Sequence, residues 1–162
     1  MSYYHLSFET ALDREPKPVS IIRVDPDELT APRKAVEVLH AGGLVAFPTE
    51  DGYVVGCSAL DPAAIRRLCE ATGAAADSLL AFVATREQAD RVSRPARIPR
   101  HPVALALVRD VGAPVLATPC TPGARPVPTA QQVVFVLGDK VDLVLNAGPI
   151  SRQPVGATGG AR

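Results

Sequence analysis

Apolar positions along the chain fall into short runs, separated by amphipathic stretches that close on glycine. The run Val19-Ser20-Ile21-Ile22-Arg23-Val24 predicts a first strand, and Asp25 to Thr30 then turn the chain. Ala35, Val36, Val38 and Leu39 recur at helical spacing, and Gly42-Gly43 supplies the stop. Leu44-Val45-Ala46-Phe47 is a continuous apolar run, expected as a buried strand ended by Pro48. A loop from Thr49 to Gly52 leads into a second strand, Tyr53 to Cys57. Asp61 followed by Pro62 is a strong helix start, because a carboxylate caps the free amides and proline needs no donor in the first turn. That helix turns Ile65, Leu68 and Cys69 inward and ends at Gly73.

The second half repeats the alternation. Leu79 to Val83 predicts a strand, and Thr85 with Gln88 a capping box for a short helix. Pro95 and Pro99 hold an extended stretch. Pro102 to Val111 predicts a helix closed by Gly112, and Pro114 to Thr118 a strand. Residues 119–128 form a proline-rich loop. Thr129 and Gln132 make another capping box, over a helix from Ala130 to Leu137, and Asp142 to Asn146 is the last strand. Strands alternating with helices predict an α/β (α+β) domain on a mixed sheet.

Composition narrows this picture. A chain of 162 residues suits one compact domain, and 47% hydrophobic residues can build its core. Residues 1–17 read as an N-terminal extension, 18–158 as the domain and 159–162 as a tail. No apolar run approaches the ~18–20 residues that span a bilayer, and the opening residues carry no signal-peptide pattern. Seventeen basic residues balance seventeen acidic ones, which excludes a uniformly polycationic nucleic-acid binder but leaves room for a local patch. Cys57, Cys69 and Cys120 are odd in number, lack a CxxC and sit in apolar surroundings, so buried inert thiols and a reducing cytoplasm are expected. His5, His40 and His101 show no metal-ligand spacing, and no metal site is expected.

The segment from Gly43 to Tyr53 is the most informative. A glycine-closed helix, a buried strand, Pro48-Thr49-Glu50 and Tyr53 resemble the YrdC family, the threonylcarbamoyl-AMP synthases of tRNA modification, whose pattern is Pro-Thr-Glu/Asp-Thr-x-Tyr-Gly-Leu. Asp51 stands in place of the second Thr, and Val54 and Val55 in place of Gly-Leu. Arg97-Ile98-Pro99-Arg100-His101-Pro102 is similar to the family's Arg-x-Pro-x-His-Pro stretch. Gly112 to Thr118 resembles the strand before its Ser-Ala-Asn motif, and Leu137 to Gly148 its last helix–strand unit. The resemblance implies a YrdC-like twisted mixed sheet flanked by helices. It also implies a reaction of threonine, bicarbonate and ATP that releases pyrophosphate.

The same comparison shows departures. The positions of the family's Lys-x-Arg motif hold Thr72 and Ala74, and those of its Ser and Asn hold Pro119 and Thr121 around Cys120. Its C-terminal Ser-Thr pair survives as Thr158 beside Ala157. A few dozen residues that the family carries before the Arg-x-Pro stretch are missing. Losing one fixed donor or cation costs ~3 kcal/mol of transition-state stabilisation, so standard synthase chemistry is expected to be impaired. If the chain is active, it is a nucleotidyltransferase with ATP, with Mg, as substrate; no cofactor is otherwise implied. Thr49, Tyr53, Arg97, Thr118, Thr121 and Thr158 are the candidate nucleotide or substrate contacts. Three of them have a plainer reading: Thr49 as a turn residue, Tyr53 as a half-buried strand residue, Arg97 as a solvated surface cation. Glu50 and Asp51 suit acid/base work or a metal, but two adjacent carboxylates on a loop are more often plain surface.

From Arg91 to Arg109 lie five arginines (Arg91, Arg94, Arg97, Arg100 and Arg109) and no acid. Such a stretch fits phosphate-backbone contacts, and the resemblance implies a concave basic face for tRNA or double-stranded RNA. Aromatic interleaving is absent, which disfavours base stacking on single strands. Three functions therefore stand: an RNA- or nucleotide-binding YrdC-like domain with impaired chemistry, an active synthase with an altered site, and a non-catalytic protein-interaction scaffold.

Overall fold

A computed structural model describes residues 19–26 and 30–151. The elements run β1 (Ser20–Arg23), α1 (Arg33–His40), β2 (Val45–Thr49), β3 (Gly52–Ser58), α2 (Pro62–Thr72), β4 (Leu80–Phe82), α3 (Arg86–Arg91), β5 (Ala96–Arg97), α4 (Pro102–Val111), β6 (Val115–Thr118), α5 (Ala130–Leu137) and β7 (Leu143–Asn146). Single 3-10 turns lie at Ala76–Ser78 and Gly138–Lys140. The strands form one seven-stranded mixed sheet in the order β1-β7-β2-β3-β6-β4-β5. β7 pairs parallel with β1 and β2, while β2–β3, β3–β6 and β6–β4 are antiparallel. This is the α/β architecture expected from the alternation. The N-terminal extension, the tail and Thr158 lie outside the described residues.

Helices cover both faces of the sheet. Val45, Phe47, Val54, Phe82 and Leu143 point to one face, where they pack with Ala35 and Leu39 of α1 and Val103, Leu107 and Val108 of α4. Leu44, Ala46, Tyr53, Val55 and Val144 point to the other, against Ala64 and Leu68 of α2 and Ala130 and Val133 of α5. Every residue of β2 and β3 is buried, because strands covered on both faces need apolar residues at successive positions. That burial explains why Leu44 to Phe47 shows no alternation.

The cap residues hold the helix amides as predicted, but neither glutamine closes its box on the cap residue's own amide: Gln132 Oε1 accepts from the Thr129 hydroxyl at 3.0 Å, and Gln88 is shifted by one residue. Asp61 Oδ1 accepts from the amides of Ala63 (3.1 Å) and Ala64 (3.2 Å). Thr129 Oγ1 accepts from the Gln132 amide at 3.2 Å, and α5 spans the expected residues. Thr85 Oγ1 accepts from the Gln88 amide at 3.1 Å, but the Gln88 side chain reaches back to the Ala84 amide rather than to Thr85.

Two expectations need correction. Pro48 does not end β2; it lies opposite Tyr53, and the hairpin closes by a two-residue turn, Glu50–Asp51. In such a hairpin Thr49 and Gly52 form the hydrogen-bonded pair, so Pro48–Tyr53 is a non-hydrogen-bonded one. The missing proline N–H then points away from β3, on a side where β7 pairs only with Val45 and Ala46. Tyr53 faces outward in the same way and donates its amide to Val127 O at 2.7 Å. The stretch between Pro95 and Pro99 also holds a strand, β5, parallel to β4. Two residues are too few to show a period.

Candidate functional site

The β2–β3 turn and the strand β5 meet side chain to side chain. Arg97 Nη2 lies 3.0 Å from Asp51 Oδ2 and 3.9 Å from Glu50 Oε2. Its guanidinium sits over the Phe82 ring, 5.4 Å from the centroid, and Phe82 meets Phe47 edge to face. Arg97 Nε is buried with no acceptor. A buried donor left unmatched costs about 1–3 kcal/mol, so this pose leaves the guanidinium partly unsatisfied. Arg97 is therefore a half-exposed cation with fixed partners, and Glu50 and Asp51 are those partners rather than a plain surface pair.

Glu50 does more than balance charge. Its Oε1 accepts from the amides of Arg100 (3.0 Å) and His101 (3.2 Å), and Arg100 Nε lies 3.9 Å from its Oε2. His101 in turn caps α4, its Nδ1 accepting from the Val103 amide at 3.1 Å. The turn is thereby tied to the segment that enters α4.

The hydroxyls expected at the site are engaged inside the protein. Thr49 is buried; its Oγ1 donates to Gly52 O at 2.7 Å and accepts from the Asp51 amide at 3.1 Å. Tyr53 is fully buried rather than half-buried, donates its hydroxyl to Gly148 O at 2.7 Å and accepts from the Ala147 amide at 2.9 Å. Burial pushes its phenol above the usual tyrosine range, opposed by the Ala147 N–H. Thr118 is buried and donates to Pro119 O at 3.1 Å, whereas Thr121 is exposed in the proline-rich loop. Thr72 closes α2 on itself, its hydroxyl donating to Leu68 O (2.9 Å) and accepting from the Ala74 amide (3.2 Å). Ala74 is buried.

The proline-rich loop lies against the same strand end. A Cβ on Gly52 would stand 2.8 Å from Val127 O and 2.9 Å from Pro126 Cβ, and Gly52 has φ +131°. A hollow of about 350 Å³ lies elsewhere, lined by Lys34, Arg67, Asp139 and Asp142 among others. Another, of about 390 Å³, is lined by Leu60, Arg91, Ala113 and neighbours. Neither includes Thr49, Arg97 or Thr118.

The arginine stretch divides by role. Arg94 Nη1 donates to the carbonyls of Ala76 (2.7 Å) and Leu79 (3.2 Å), holding the turn before β4. Arg109 Nε lies 3.4 Å from Asp110 Oδ1. Arg91 is exposed at the end of α3, and the Arg100 side chain is 84% exposed. Burial pushes the Cys57 thiol up to about 12 and that of Cys120 up to about 11. Cys69 is only partly buried. Among the described residues, no three His, Cys, Asp or Glu side chains are placed to hold a metal ion, and no helix is long and apolar enough to cross a membrane.

Sequence reasoning missed the Glu50/Asp51–Arg97 cluster. Its partners are 46 positions apart, and β6 and β4 lie between β3 and β5 in the sheet, so neither chain nor strand adjacency announces the contact. An adjacent acidic pair in one motif and an arginine in another were the available signals.

A helix-covered mixed sheet in which a Pro-Thr-Glu hairpin turn is clasped by an Arg-x-Pro-x-His-Pro segment defines a class of α/β domain. The chain belongs to the Sua5/YciO/YrdC family: the family model Sua5_yciO_yrdC, described as telomere recombination, matches residues 37–96 and 95–156. It is 26% identical to the threonylcarbamoyl-AMP synthase of Bacillus subtilis, over 72% of this chain and 46% of that protein. It is 29% identical to a putative threonylcarbamoyl-AMP synthase of Mycobacterium tuberculosis, over 76% of this chain and 75% of that one. The crystal structure of Escherichia coli YciO superposes with a TM-score of 0.71 at 20% identity, covering 84% of this chain and 87% of that one. The chain thus spans about half the length of the Bacillus protein.

The alignments also bear on the missing segment. That with the Bacillus synthase runs over 158 positions yet covers only 72% of this 162-residue chain, so a few dozen positions have no counterpart here. The family match comes in two pieces that meet at residues 95–96, at the start of β5.

Proposed function

We propose that this chain is a YrdC-like domain that binds RNA, tRNA or double-stranded, and accepts the phosphate or carboxylate of a small ligand at Arg97, with synthase chemistry much reduced. One observation carries the reduced chemistry: Thr49, Tyr53 and Arg97, which the resemblance would have contact substrate, are bonded to the chain's own groups. Thr72 and Ala74, which stand where the family places cations, carry no charge and close a helix. A nucleotide polyanion leaving water needs fixed cations around it, and few stand here.

Exposed Arg91 and Arg100 support the RNA reading, since guanidinium groups open to solvent pair with backbone phosphates. A second reading is kept because relatives over more than 70% of this chain are named threonylcarbamoyl-AMP synthases: an active synthase with an altered site. Pyrophosphate release from ATP, with threonine and bicarbonate present, separates the two. Turnover comparable to a full-length synthase assayed beside it supports the second reading; little or none, with retained tRNA binding, supports the first. If neither nucleotide nor RNA binds, the chain is a protein-interaction scaffold. The RNA-binding residues on this reading are Arg91, Arg94, Arg100 and Arg109.

A further inference from the structure

Arg97 is held by an acid that the family pattern does not place there. Asp51 stands where the pattern has a second Thr, and its Oδ2 lies 3.0 Å from Arg97 Nη2. The two carboxylates of the turn are not equivalent. Glu50 is largely covered, 20% exposed, and is spent on the Arg100 and His101 amides. Asp51 is 44% exposed and Arg97 40%, so solvent and solutes reach the pair. A carboxylate on a guanidinium is the same interaction that a phosphate or carboxylate ligand would make. The Phe82 ring beneath the guanidinium and the unmatched Nε add two facts. The ring, 5.4 Å from the guanidinium carbon, favours a cation there whichever anion it meets, and the buried Nε has no acceptor in the present pose.

We propose that Asp51 is a built-in competitor for the Arg97 site: its carboxylate occupies the guanidinium until an anionic ligand group displaces it. This rests on the reading of Arg97 as an anion contact and adds how that contact is controlled. A carboxylate tethered in the adjacent turn acts at high effective concentration, so it lowers the apparent affinity for free anions without blocking the site. Glu50 stays on the α4 entry in both states, so the turn need not unfold for Asp51 to let go.

The test uses the full chain with ATP as probe, titrated by calorimetry at low and moderate salt. Asp51→Asn, which keeps the shape and removes the charge, is expected to tighten ATP about tenfold. Asp51→Glu keeps the charge and is expected to leave the affinity near that of the parent. Asp51→Thr is a second neutral variant should the first be unstable, which melting temperatures reveal. In an Arg97→Gln background the Asp51→Asn gain is expected to vanish. A gain that persists without Arg97 overturns the proposal, since it then reflects only the overall charge. If the parent binds ATP and neither neutral variant binds more tightly, the competitor role fails, and the Arg97 anion site stands where Arg97→Gln alone weakens ATP and falls where it does not. If no form binds ATP, both fall.

Discussion

The Tyr53 hydroxyl bridges two successive residues of the chain past β7, donating to Gly148 O at 2.7 Å and accepting from the Ala147 amide at 2.9 Å. A residue 95 positions earlier thus fixes where the chain goes after the last strand. Tyr53→Phe keeps the ring in its fully buried slot and removes both bonds. One backbone donor and one acceptor then lose their partner. The expected loss is about 1–3 kcal/mol, read as a lower urea midpoint with an unchanged slope. An unchanged midpoint would show that water serves Ala147 and Gly148 equally well.

Gly52→Ala tests the fit of the proline-rich loop over the hairpin. The new Cβ would meet Val127 O at 2.8 Å, and φ +131° is unfavourable for any side chain. Both act together, and backbone has to move because the contact is with a carbonyl. The expected cost exceeds that of an ordinary surface substitution, about 2 kcal/mol or more. Gly123→Ala is the comparison, since it shares a positive φ of +81° but has nothing within 4 Å of its Cβ. Equal effects of the two would remove the steric part of the account.

Alkaline pH should weaken the fold from about pH 9 upward. Cys57 and Cys120 are held protonated, with pKa values pushed to about 12 and about 11 from 9.0, and the Tyr53 phenol is raised too. Above pH 9 the unfolded chain loses these thiol protons while the folded chain keeps them. Fewer protons on the unfolded state means stability falls as pH rises, from about 9 toward 11–12, and is fully present below 9. Urea midpoints measured from pH 8 upward should show this fall, and Cys57→Ala should flatten it. A slope that Cys57→Ala leaves unchanged would assign the effect to other groups.

The sequence made some of this legible and hid the rest for definable reasons. Helix limits were readable where a side chain competes for free amides, at Asp61 and Thr129, or where glycine takes a left-handed turn, as Gly112 does at φ +78°. These signals are local, so the chain itself displays them. Pro48 was misread because its tolerance depends on which side of β2 carries a neighbour, a property of the sheet and not of the strand. Arg97 was visible in the sequence as part of the Arg-x-Pro-x-His-Pro stretch. Its partners were not, because Asp51 and Glu50 reach it only after β6 and β4 have been laid between them and β5. Tyr53 was similarly visible as a motif residue, while the partner of its amide, Val127 O, lies on a loop that carries no period at all.

The arginine stretch gives the last prediction, and geometry separates its members. Arg94 holds the carbonyls of Ala76 and Leu79, whereas Arg100 is 84% exposed and Arg91 lies open on α3. Arg94→Ala should therefore lower stability, by about 1–3 kcal/mol for two carbonyl bonds made by a charged donor, whatever it does to RNA. Arg91→Ala and Arg100→Ala should leave the melting temperature almost unchanged, since exposed ion pairs contribute about 0–1 kcal/mol. If these two contact RNA phosphates, their combined replacement should weaken tRNA binding and reduce the slope of log affinity against log salt by about 1–2. The measurement is tRNA affinity at several salt concentrations for the parent and the double variant, with melting curves alongside. A weaker affinity at an unchanged slope would mean that the arginines act through the fold, and an unchanged affinity would take both residues out of the RNA contact.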